Sequence, residues 1–347
     1  MRAASILGGL ALAFAVTSAP ATADSMIKRP GTERHALVKR AHQLARDEVL
    51  STLPSFVRED LAKRDPNDYE VHYEHLLDRY MSDEAPLNEL ERRAEKFDAG
   101  GPAHDGAATW VNGHGPGIGQ CGGKKVAITF DDGPYENHLK LAQKFKDANQ
   151  FLTFFVNGNN FGCIYDKPYP QQMRKAWDLG VATYGSHTWS HANLTSATSD
   201  DQILKQLHLV EEALYRILGV VPRYLRPPYG ETNRRILKLM KDNDYKVVQW
   251  NTNNGDGDGL PPAESIKIWQ SIEKANKVLM LNHETHADTV NKVVPAGLEH
   301  LKQAGIQTVP LEKCLKHHPA PYKVTAKRSK RTDEWTCVGK PAPGKFE

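Results

Sequence analysis

Short apolar, β-rich runs alternate with amphipathic segments between about residue 120 and residue 315. The seven runs are Lys125–Phe130, Phe151–Val156, Val181–Gly185, Tyr224–Pro227, Lys246–Trp250, Lys277–Leu281 and Gln307–Leu311. The clearest helix is predicted over Ser199–Leu218, which has apolar residues at helical spacing and ends before Gly219. This alternation predicts parallel strands joined by right-handed crossovers. It favours a β/α barrel of about seven strands over an open doubly wound sheet.

The regions on either side differ from this pattern. Residues 1–23 combine Arg2, an apolar run and a small-residue pattern at Ala21–Ala23, which predicts a secretory signal peptide. Residues 24–119 are charged and helix-prone with a glycine-rich end, and we interpret them as a leader that could serve as a pro-segment, followed by a linker. The folded domain is predicted over residues 120–315. Residues 316–347 carry eight Lys or Arg against three acids, and we expect a basic, solvated tail restrained only by a bridge at Cys337.

Charge and hydropathy exclude two classes of partner. The net charge of +3 over 347 residues is too small for a nucleic-acid footprint, which needs a concentrated basic face. No segment reaches the length of a membrane span. We therefore expect a secreted, extracellular protein, and association with the cell wall remains open.

The four cysteines are expected to form two disulfides, because the predicted destination is oxidising and no pair has Cys-x-x-Cys spacing. Three pairings are possible. We prefer Cys121 with Cys314, which would join the start and the end of the core, and this leaves Cys163 with Cys337.

Polar residues follow the predicted strands at their carboxyl ends. They are Asp131 and Asp132 after the first run, His187 and His191 after the third, Arg226 and Tyr229 after the fourth, Asn253 and Asp256 after the fifth, and His283 after the sixth. The carboxyl ends of parallel strands meet on one face, where barrel enzymes have their active sites. We therefore expect these side chains to converge.

Three of these residues have the character of metal ligands. His187 and His191 are four residues apart, so one helical turn would place both imidazoles on the same side. Asp132 would complete a three-ligand set with open positions, which is typical of a catalytic metal. A Zn²⁺-like cation in this set would acidify water and polarise a carbonyl oxygen. Asp131 is then the candidate base, and His283 the candidate acid for a leaving amine.

Further residues have candidate supporting roles. The charge of Arg226 could hold Asp131 ionised and oriented. The backbone N–H of Tyr229 follows two prolines and could help to stabilise an oxyanion. Trp189, Tyr229 and Trp250 are candidate sugar-stacking surfaces, with burial in the core as the alternative.

Taken in order, these motifs resemble those of the polysaccharide deacetylases of carbohydrate esterase family 4, and most of all those of secreted fungal chitin deacetylases. The resemblance covers about residues 121–315 and rests on Thr129–Gly133, His187–His191, Arg226–Tyr229 and Leu281–His283. It implies a distorted β/α barrel and hydrolysis of N-acetyl groups from N-acetylglucosamine polymers, with chitin or chitooligosaccharide as substrate.

The resemblance also implies a role for each matching residue. Asp132, His187 and His191 would hold Zn²⁺ or another divalent transition metal such as Co²⁺. The base, its tether, the oxyanion donor and the acid would be Asp131, Arg226, Tyr229 and His283.

One segment departs from the family pattern. The family has an Asp after the fifth strand and a second Asp three residues later, and the segment supports the catalytic His. Ungapped alignment places Asn253 at the first position and Asp256 at the second. An amide cannot stabilise the His283 cation as a carboxylate would, which predicts a lower pKa for His283.

The departure leaves two outcomes open: Asp256 or Asp258 supports His283 through the glycine-rich loop, or activity is reduced. The alternatives to a chitin deacetylase are therefore a catalytically weakened wall-binding or chitin-sensing protein, and an O-acetyl xylan esterase or a peptidoglycan deacetylase of the same fold.

Overall fold

The computed structural model describes residues 31–77, 109–111, 114–316 and 320–347. Of the described residues, 45–75, 109–111, 114–316 and 320–347 form one compact unit, and 31–44 with 76–77 belong to a second, smaller one. The described part of the smaller unit includes the start of helix α1 (Gly31–Ser51). The predicted signal peptide, residues 1–23, lies outside the described residues.

The helices follow the predicted alternation. After α1 they are α2 (Ser55–Lys63), α3 (His138–Asp147), α4 (Tyr169–Asp178), α5 (Asp200–Leu218), α6 (Arg234–Asp242), α7 (Pro262–Gln270), α8 (Val294–Gln303) and α9 (Leu311–Cys314). Short 3-10 turns cover Pro66–Asp68, Glu74–Leu76, Leu194–Ser196 and Pro228–Gly230, and a π-helical turn covers Thr289–Val293. Helix α5 begins one residue after the predicted start, because Ser199 is its cap and accepts a hydrogen bond from the N–H of Gln202. It ends where predicted, at Gly219 in a left-handed conformation (φ 79°).

Seven strands form one parallel sheet. The strands of the described residues are β1 (Tyr69–Val71), β2 (Thr109–Val111), β3 (His114–Gly117), β4 (Val126–Asp131), β5 (Leu152–Val156), β6 (Ala182–Ser186), β7 (Val220–Pro222), β8 (Tyr224–Leu225), β9 (Lys246–Val247), β10 (Thr252–Asn253), β11 (Val278–His283) and β12 (Tyr322–Ala326). The order in the parallel sheet is β10-β11-β4-β5-β6-β8-β9. The sheet curls into a half-barrel, so the predicted distorted β/α barrel is confirmed.

One predicted strand is wrong. Gln307–Leu311 forms only an isolated bridge between Thr308 and Val126, because Pro310 and the start of α9 leave too little extended chain for a ladder. Strand β10 takes the seventh place instead.

Strand β4 lies at the centre of the site's architecture. It pairs with β11 on one side and β5 on the other, and all its residues from Val126 to Asp131 are buried. Helices cover both faces of a parallel sheet, so central strands are apolar throughout. Asp131 is therefore a carboxylate at the end of a fully buried strand.

The predicted leader and tail both contribute to the larger unit. Strand β1 pairs antiparallel with β12, and β12 pairs with β7. Val324 is fully buried, and the buried Lys323 ammonium donates to Glu211 at 2.7 Å. The part of the tail that forms β12 is thus folded rather than solvated, because its alternation of apolar residues allows a strand. The domain boundaries at residues 23, 119 and 315 stay predictions.

Two disulfides have the pairing preferred from the sequence. Cys121–Cys314 joins the segment before β4 to α9, and Cys163–Cys337 joins the loop after β5 to the C-terminal segment. Within the described ranges, no helix is long and apolar enough to cross a bilayer.

Candidate metal centre and proton-transfer groups

The two adjacent carboxylates separate where β4 ends. Asp131 is the last residue of the strand, and Asp132 has a left-handed backbone (φ 73°), which L-residues adopt only at a cost. This turn gives the two side chains different surroundings. Asp131 lies beside Arg226, whereas Asp132 lies beside two histidines.

Asp132, His187 and His191 form the one candidate metal-ligand cluster found in the described part of the chain. The Nε2 atoms of His187 and His191 lie 3.6 and 3.4 Å from Asp132 Oδ1, and the three ligand atoms are mutually within 4.8 Å. Ligands about 2.0 to 2.2 Å from a tetrahedral ion are separated by about 3.3 Å. Both distances from Asp132 are close to this separation, so the residues fit a divalent cation.

The protonation states of this cluster also suit a cation. Burial lowers the pKa of His187 and of His191 to about 3, so both imidazoles are neutral at physiological pH. Burial, together with the charges of Asp131 and Asp256, raises the pKa of Asp132 to about 7. A bound cation would supply the missing positive charge, and neutral imidazole with carboxylate is the donor set that Zn²⁺ accepts.

Residues 187–191, which we call the ligand loop, are irregular rather than helical. The prediction of a helical turn between His187 and His191 is wrong, since Thr188 (φ 69°) and His191 (φ 58°) have left-handed backbones and bend the loop instead. The Nδ1–H of His187 donates to the carbonyl of Arg226 at 2.7 Å, which leaves Nε2 as the ligand atom.

Arg226 holds the candidate base. Its Nη1 donates to Asp131 Oδ1 at 2.8 Å and to Thr129 Oγ1 at 2.6 Å, and its other nitrogens donate to the carbonyls of Val248 and Gln249. Both partners are buried, and the guanidinium lies over the Phe155 ring. Burial raises the pKa of Asp131, while the charge of Arg226 opposes the rise. The carboxylate is thus fixed in place with its second oxygen 3.7 Å from His187 Nε2.

Asp256 supports the candidate acid. Its Oδ1 lies 2.8 Å from His283 Nδ1, and its Oδ2 accepts hydrogen bonds from the His283 N–H and the Thr289 hydroxyl. Asn253 bonds instead to Asp258 and to the N–H of Gly255. Asp256, three residues after Asn253, therefore gives His283 the support that was expected from this segment.

The expected low pKa of His283 is wrong. Burial lowers this pKa, but the hydrogen bond and charge of Asp256, with Asp132 and Asp131, raise it to about 9. Gly257 allows the close approach, because a Cβ there would lie 2.7 Å from His283 Cε1.

The three aromatic candidates for sugar stacking divide clearly. Trp189 is fully buried and donates from Nε1 to the Pro341 carbonyl, and Trp250 is only 5% exposed and packs near Arg226. Neither indole presents a face to a ligand, so both predictions are corrected to core packing. Tyr229 is 59% exposed, has a left-handed backbone (φ 61°), and its ring lies 4.6 Å from that of His191.

Residues 341–345, the C-terminal segment, contact the ligand loop, which the sequence did not indicate. The carbonyl of Pro341 accepts from Trp189 Nε1 and Asn159 Nδ2, and the N–H of Gly344 donates to the Ser190 carbonyl. The carbonyl of Lys345 accepts from the Ser190 hydroxyl and, at 2.9 Å, from Gln206 Nε2. Cys337 lies just ahead of this segment in its bridge to Cys163. Backbone acceptors leave no mark in a side-chain pattern, so only the apolar spacing in the tail could have suggested it.

A second buried network lies beneath the Asp132 turn. Glu284 bonds to His138 Nδ1 at 2.9 Å, and His138 Nε2 bonds to the Tyr184 hydroxyl at 2.8 Å. A Cβ on Gly133 would lie 1.1 Å from Glu284 Oε1, so only glycine fits there. The adjacency of Glu284 to His283 was the available signal.

Comparisons with known proteins agree with this geometry. The family profile described as Polysaccharide deacetylase matches residues 119–248. The chitin deacetylase of Pestalotiopsis sp is 34% identical over 191 residues, which cover 54% of this chain and 63% of the relative. The chitin deacetylase of Colletotrichum lindemuthianum is 32% identical over 201 residues, which cover 56% of this chain and 80% of the relative. The chain belongs to the polysaccharide deacetylase family.

The structure of the chitin deacetylase from the fungal pathogen Colletotrichum lindemuthianum extends the match. Its TM-score is 0.56 at 29% identity, and the aligned part covers 60% of this polysaccharide deacetylase and 95% of that chain. The family indicated by the motifs is thereby confirmed. The match spans less than two thirds of the Pestalotiopsis protein.

Proposed function

We propose that the protein is a metal-dependent hydrolase that removes N-acetyl groups from N-acetylglucosamine polymers, namely chitin or chitooligosaccharides. The observation that carries the proposal is the convergence of a three-ligand cluster with two separately supported proton-transfer groups, Asp131 and His283. The names of the two fungal relatives support chitin as the polymer.

The metal is proposed to be Zn²⁺ or another divalent transition ion such as Co²⁺, held by Asp132, His187 and His191. A cation in this site supplies Lewis acidity, which polarises a carbonyl oxygen and acidifies water. Three protein ligands leave positions open for water and substrate, as in other catalytic sites of this kind.

The residues of the chain would divide the proton transfers between them. Asp131, oriented by Arg226, accepts a proton from the attacking water as its oxygen bonds to the acetyl carbon. The backbone N–H of Tyr229 donates to the oxyanion that develops on the carbonyl oxygen. His283 gives its proton to the amide nitrogen as the C–N bond breaks, which yields acetate and a free amine.

The raised pKa of His283 suits the role of acid. A group that must donate a proton at neutral pH has to be protonated before the reaction, and the partnership with Asp256 provides this. The intact pair also removes the reason for expecting a catalytically weakened, chitin-sensing protein, which rested on Asn253.

We propose that the protein is secreted and acts outside the cell, and that the cell wall is where it meets its polymer. The small-residue cleavage pattern at Ala21–Ala23 and the two disulfides support export.

The experiment is acetate release from chitin oligomers by Zn²⁺-loaded protein, with and without a chelator. We expect release that chelation abolishes and added Zn²⁺ or Co²⁺ restores. Acetylated xylan and peptidoglycan tested in parallel would identify the O-acetyl esterase or peptidoglycan deacetylase instead. A metal-loaded protein that binds chitin oligomers without releasing acetate would overturn the enzyme proposal and leave the wall-binding alternative.

A further inference from the structure

The candidate metal ligands come from two strand ends that are not neighbours in the sheet. Asp132 follows β4, whereas His187 and His191 follow β6, and β5 lies between these two strands. Asp132 Oδ1 nevertheless lies 3.6 Å from His187 Nε2 and 3.4 Å from His191 Nε2. Adjacent strands are about 4.8 Å apart, so ligands from strands on either side of β5 need a connection that holds the two loops at this spacing.

Asn157, the residue after β5, donates hydrogen bonds to both loops. Its backbone N–H donates to the carbonyl of Gly133, the residue after Asp132, at 2.7 Å. Its side-chain Nδ2 donates to the carbonyls of His187 and Thr188, at 2.6 and 2.9 Å. The side chain is only 2% exposed, and buried polar groups rely on such partners in place of water. One residue thus joins the Asp132 turn to the ligand loop.

These bonds require the chemistry of a primary amide. The Nδ2 atom has two hydrogens, one for each carbonyl of the ligand loop. Oδ1 accepts at 3.1 Å from Asn160 Nδ2, which also lies 3.5 Å from Asp132 Oδ1. A carboxylate has the same shape but only acceptor atoms, so it would place an oxygen against two carbonyl oxygens. Asn157 is therefore matched to the two loops rather than to a turn in its own backbone.

Both loops have backbone conformations that need support from outside. Asp132 (φ 73°) and Thr188 (φ 69°) are left-handed, which is costly for residues with a Cβ. Such conformations persist where surrounding contacts hold them. Asn157 bonds to the carbonyl of Gly133, directly after the first of these residues, and to the carbonyl of the second. Without the amide of Asn157, the ligand loop should relax away from Asp132.

We propose that Asn157 is a positioning residue for the candidate metal centre, and that its amide sets the spacing between Asp132 and the two histidines. The inference rests on the proposed function, which supplies the metal. Ligands that are held in place before the cation arrives bind it more tightly than ligands that must first be brought together. Loss of the amide should therefore weaken Zn²⁺ binding and leave proton transfer by Asp131 and His283 intact.

The experiment is the Zn²⁺ Kd of Asn157→Asp in the full chain, measured by competition with a chelating dye. We expect a Kd about 10- to 100-fold weaker than that of the native protein, the range for contacts that orient metal ligands. At saturating Zn²⁺, kcat should return close to the native value and its high-pH limb should keep its position. A general defect of the fold would instead lower kcat at every Zn²⁺ concentration.

Two further variants complete the comparison. Asn157→Ala removes the amide without placing a carboxylate against the carbonyls, and it should weaken Zn²⁺ binding in the same range. It carries the test if a thermal melt shows that Asn157→Asp is unfolded. The matched control is Asn251→Asp, because Asn251 Nδ2 donates to the Lys277 carbonyl at 2.6 Å and its Oδ1 accepts from the Leu279 N–H at 2.9 Å, at the opposite end of β11 from His283. This variant should keep the native Zn²⁺ Kd.

Native Zn²⁺ affinity in a folded Asn157→Ala would overturn the inference, as would an equal loss of affinity in Asn251→Asp. Unfolding of both Asn157 variants would also overturn it, since the residue would then serve the fold rather than the metal centre.

These failures differ from failure of the proposed function. If the native protein binds Zn²⁺ without releasing acetate, and Asn157→Ala binds Zn²⁺ more weakly, the positioning role stands and hydrolysis fails. If acetate is released and Asn157→Ala has native Zn²⁺ affinity, hydrolysis stands and the positioning role fails. A native protein without Zn²⁺ affinity would refute both.

Discussion

The two halves of the candidate site achieve order by different means. The metal half is Asp132, His187 and His191, and the proton-transfer half is Asp131 with Arg226 and His283 with Asp256. In the proton-transfer half each carboxylate has its own basic partner at 2.8 Å. In the metal half the carboxylate has two imidazoles that burial keeps neutral.

The chain itself supplies the positive charge in the proton-transfer half, whereas the metal half would gain its positive charge from a bound cation. Burial raises the pKa of both adjacent carboxylates, but the charge of Arg226 opposes the rise at Asp131, whereas the imidazoles beside Asp132 are neutral. The candidate metal ligands are instead positioned by hydrogen bonds, from His187 to the Arg226 carbonyl and from the ligand loop to the C-terminal segment. The two halves should therefore fail separately when substituted.

The largest effect is expected from His187→Ala. Removing one of three ligands leaves too few donors for a catalytic site, so both bound Zn²⁺ and acetate release should be lost. Metal content measured after dialysis against a defined free Zn²⁺ concentration, together with a thermal melt to show folding, checks this. A variant that retains one equivalent of Zn²⁺ would exclude His187 as a ligand.

Asp131→Asn should lose turnover while keeping the metal. The amide cannot accept a proton from water, so kcat should fall about 1,000-fold, and Zn²⁺ content should match that of the native protein. Arg226 would then face a neutral partner, and some loss of thermal stability is expected. Equal metal loss in Asp131→Asn and His187→Ala would contradict the division into two halves.

The sequence predicted the two proton-transfer groups better than it predicted the residue that supports His283. Register alone located Asp131 and His283, because side chains at the carboxyl ends of parallel strands must converge. It could not decide between Asn253 and Asp256, since that choice depends on how the glycine-rich loop folds back on His283. Spacing also misled at His187 and His191, where left-handed residues replace a helical turn.

Burial and backbone contacts were the least predictable features. Trp189 and Trp250 read equally well as surface or core from the sequence, and only the packing of the tail and of Arg226 decides. The folded C-terminal segment binds chiefly through carbonyl groups, which every residue possesses. Helix α5, by contrast, was predictable to within one residue because its capping side chain and terminal glycine are local signals.

Asp256→Asn tests the support of the acid. The pKa of His283 is raised to about 9, so the protonated form, which can donate, persists until pH approaches that value. Without the carboxylate the pKa falls, so the high-pH limb of kcat should move to lower pH, and kcat at pH 8 should fall on the order of 100-fold.

The pair of His283 and Asp256 also makes the stability of the fold depend on pH. The folded-state pKa of His283 is raised, so the stabilisation from this pair is fully present below the unfolded pKa of 6.5 and is lost as pH rises through about 9.

Asn253→Asp is the matched control for Asp256→Asn, because Asn253 contacts Asp258 rather than His283. If Asn253→Asp shifts the kcat profile as much as Asp256→Asn does, the assignment of the supporting carboxylate is wrong.

The smallest effect is expected when the C-terminal segment is shortened to end at Lys340. The Cys163–Cys337 bridge remains, but Trp189 Nε1, the Ser190 hydroxyl and Gln206 lose their carbonyl partners. Outer contacts that orient metal ligands are typically worth about 10- to 100-fold in affinity, so Zn²⁺ should bind within that range more weakly, as measured by competition with a chelating dye. The high-pH limb of kcat at saturating Zn²⁺ should not move, since Asp256 and His283 are untouched.

Lys345→Ala keeps the Lys345 carbonyl and should bind Zn²⁺ like the native protein. If the shortened chain keeps native Zn²⁺ affinity, the ligand loop is ordered by its own backbone; if it shifts the pH limb as well, the two halves are coupled through the fold.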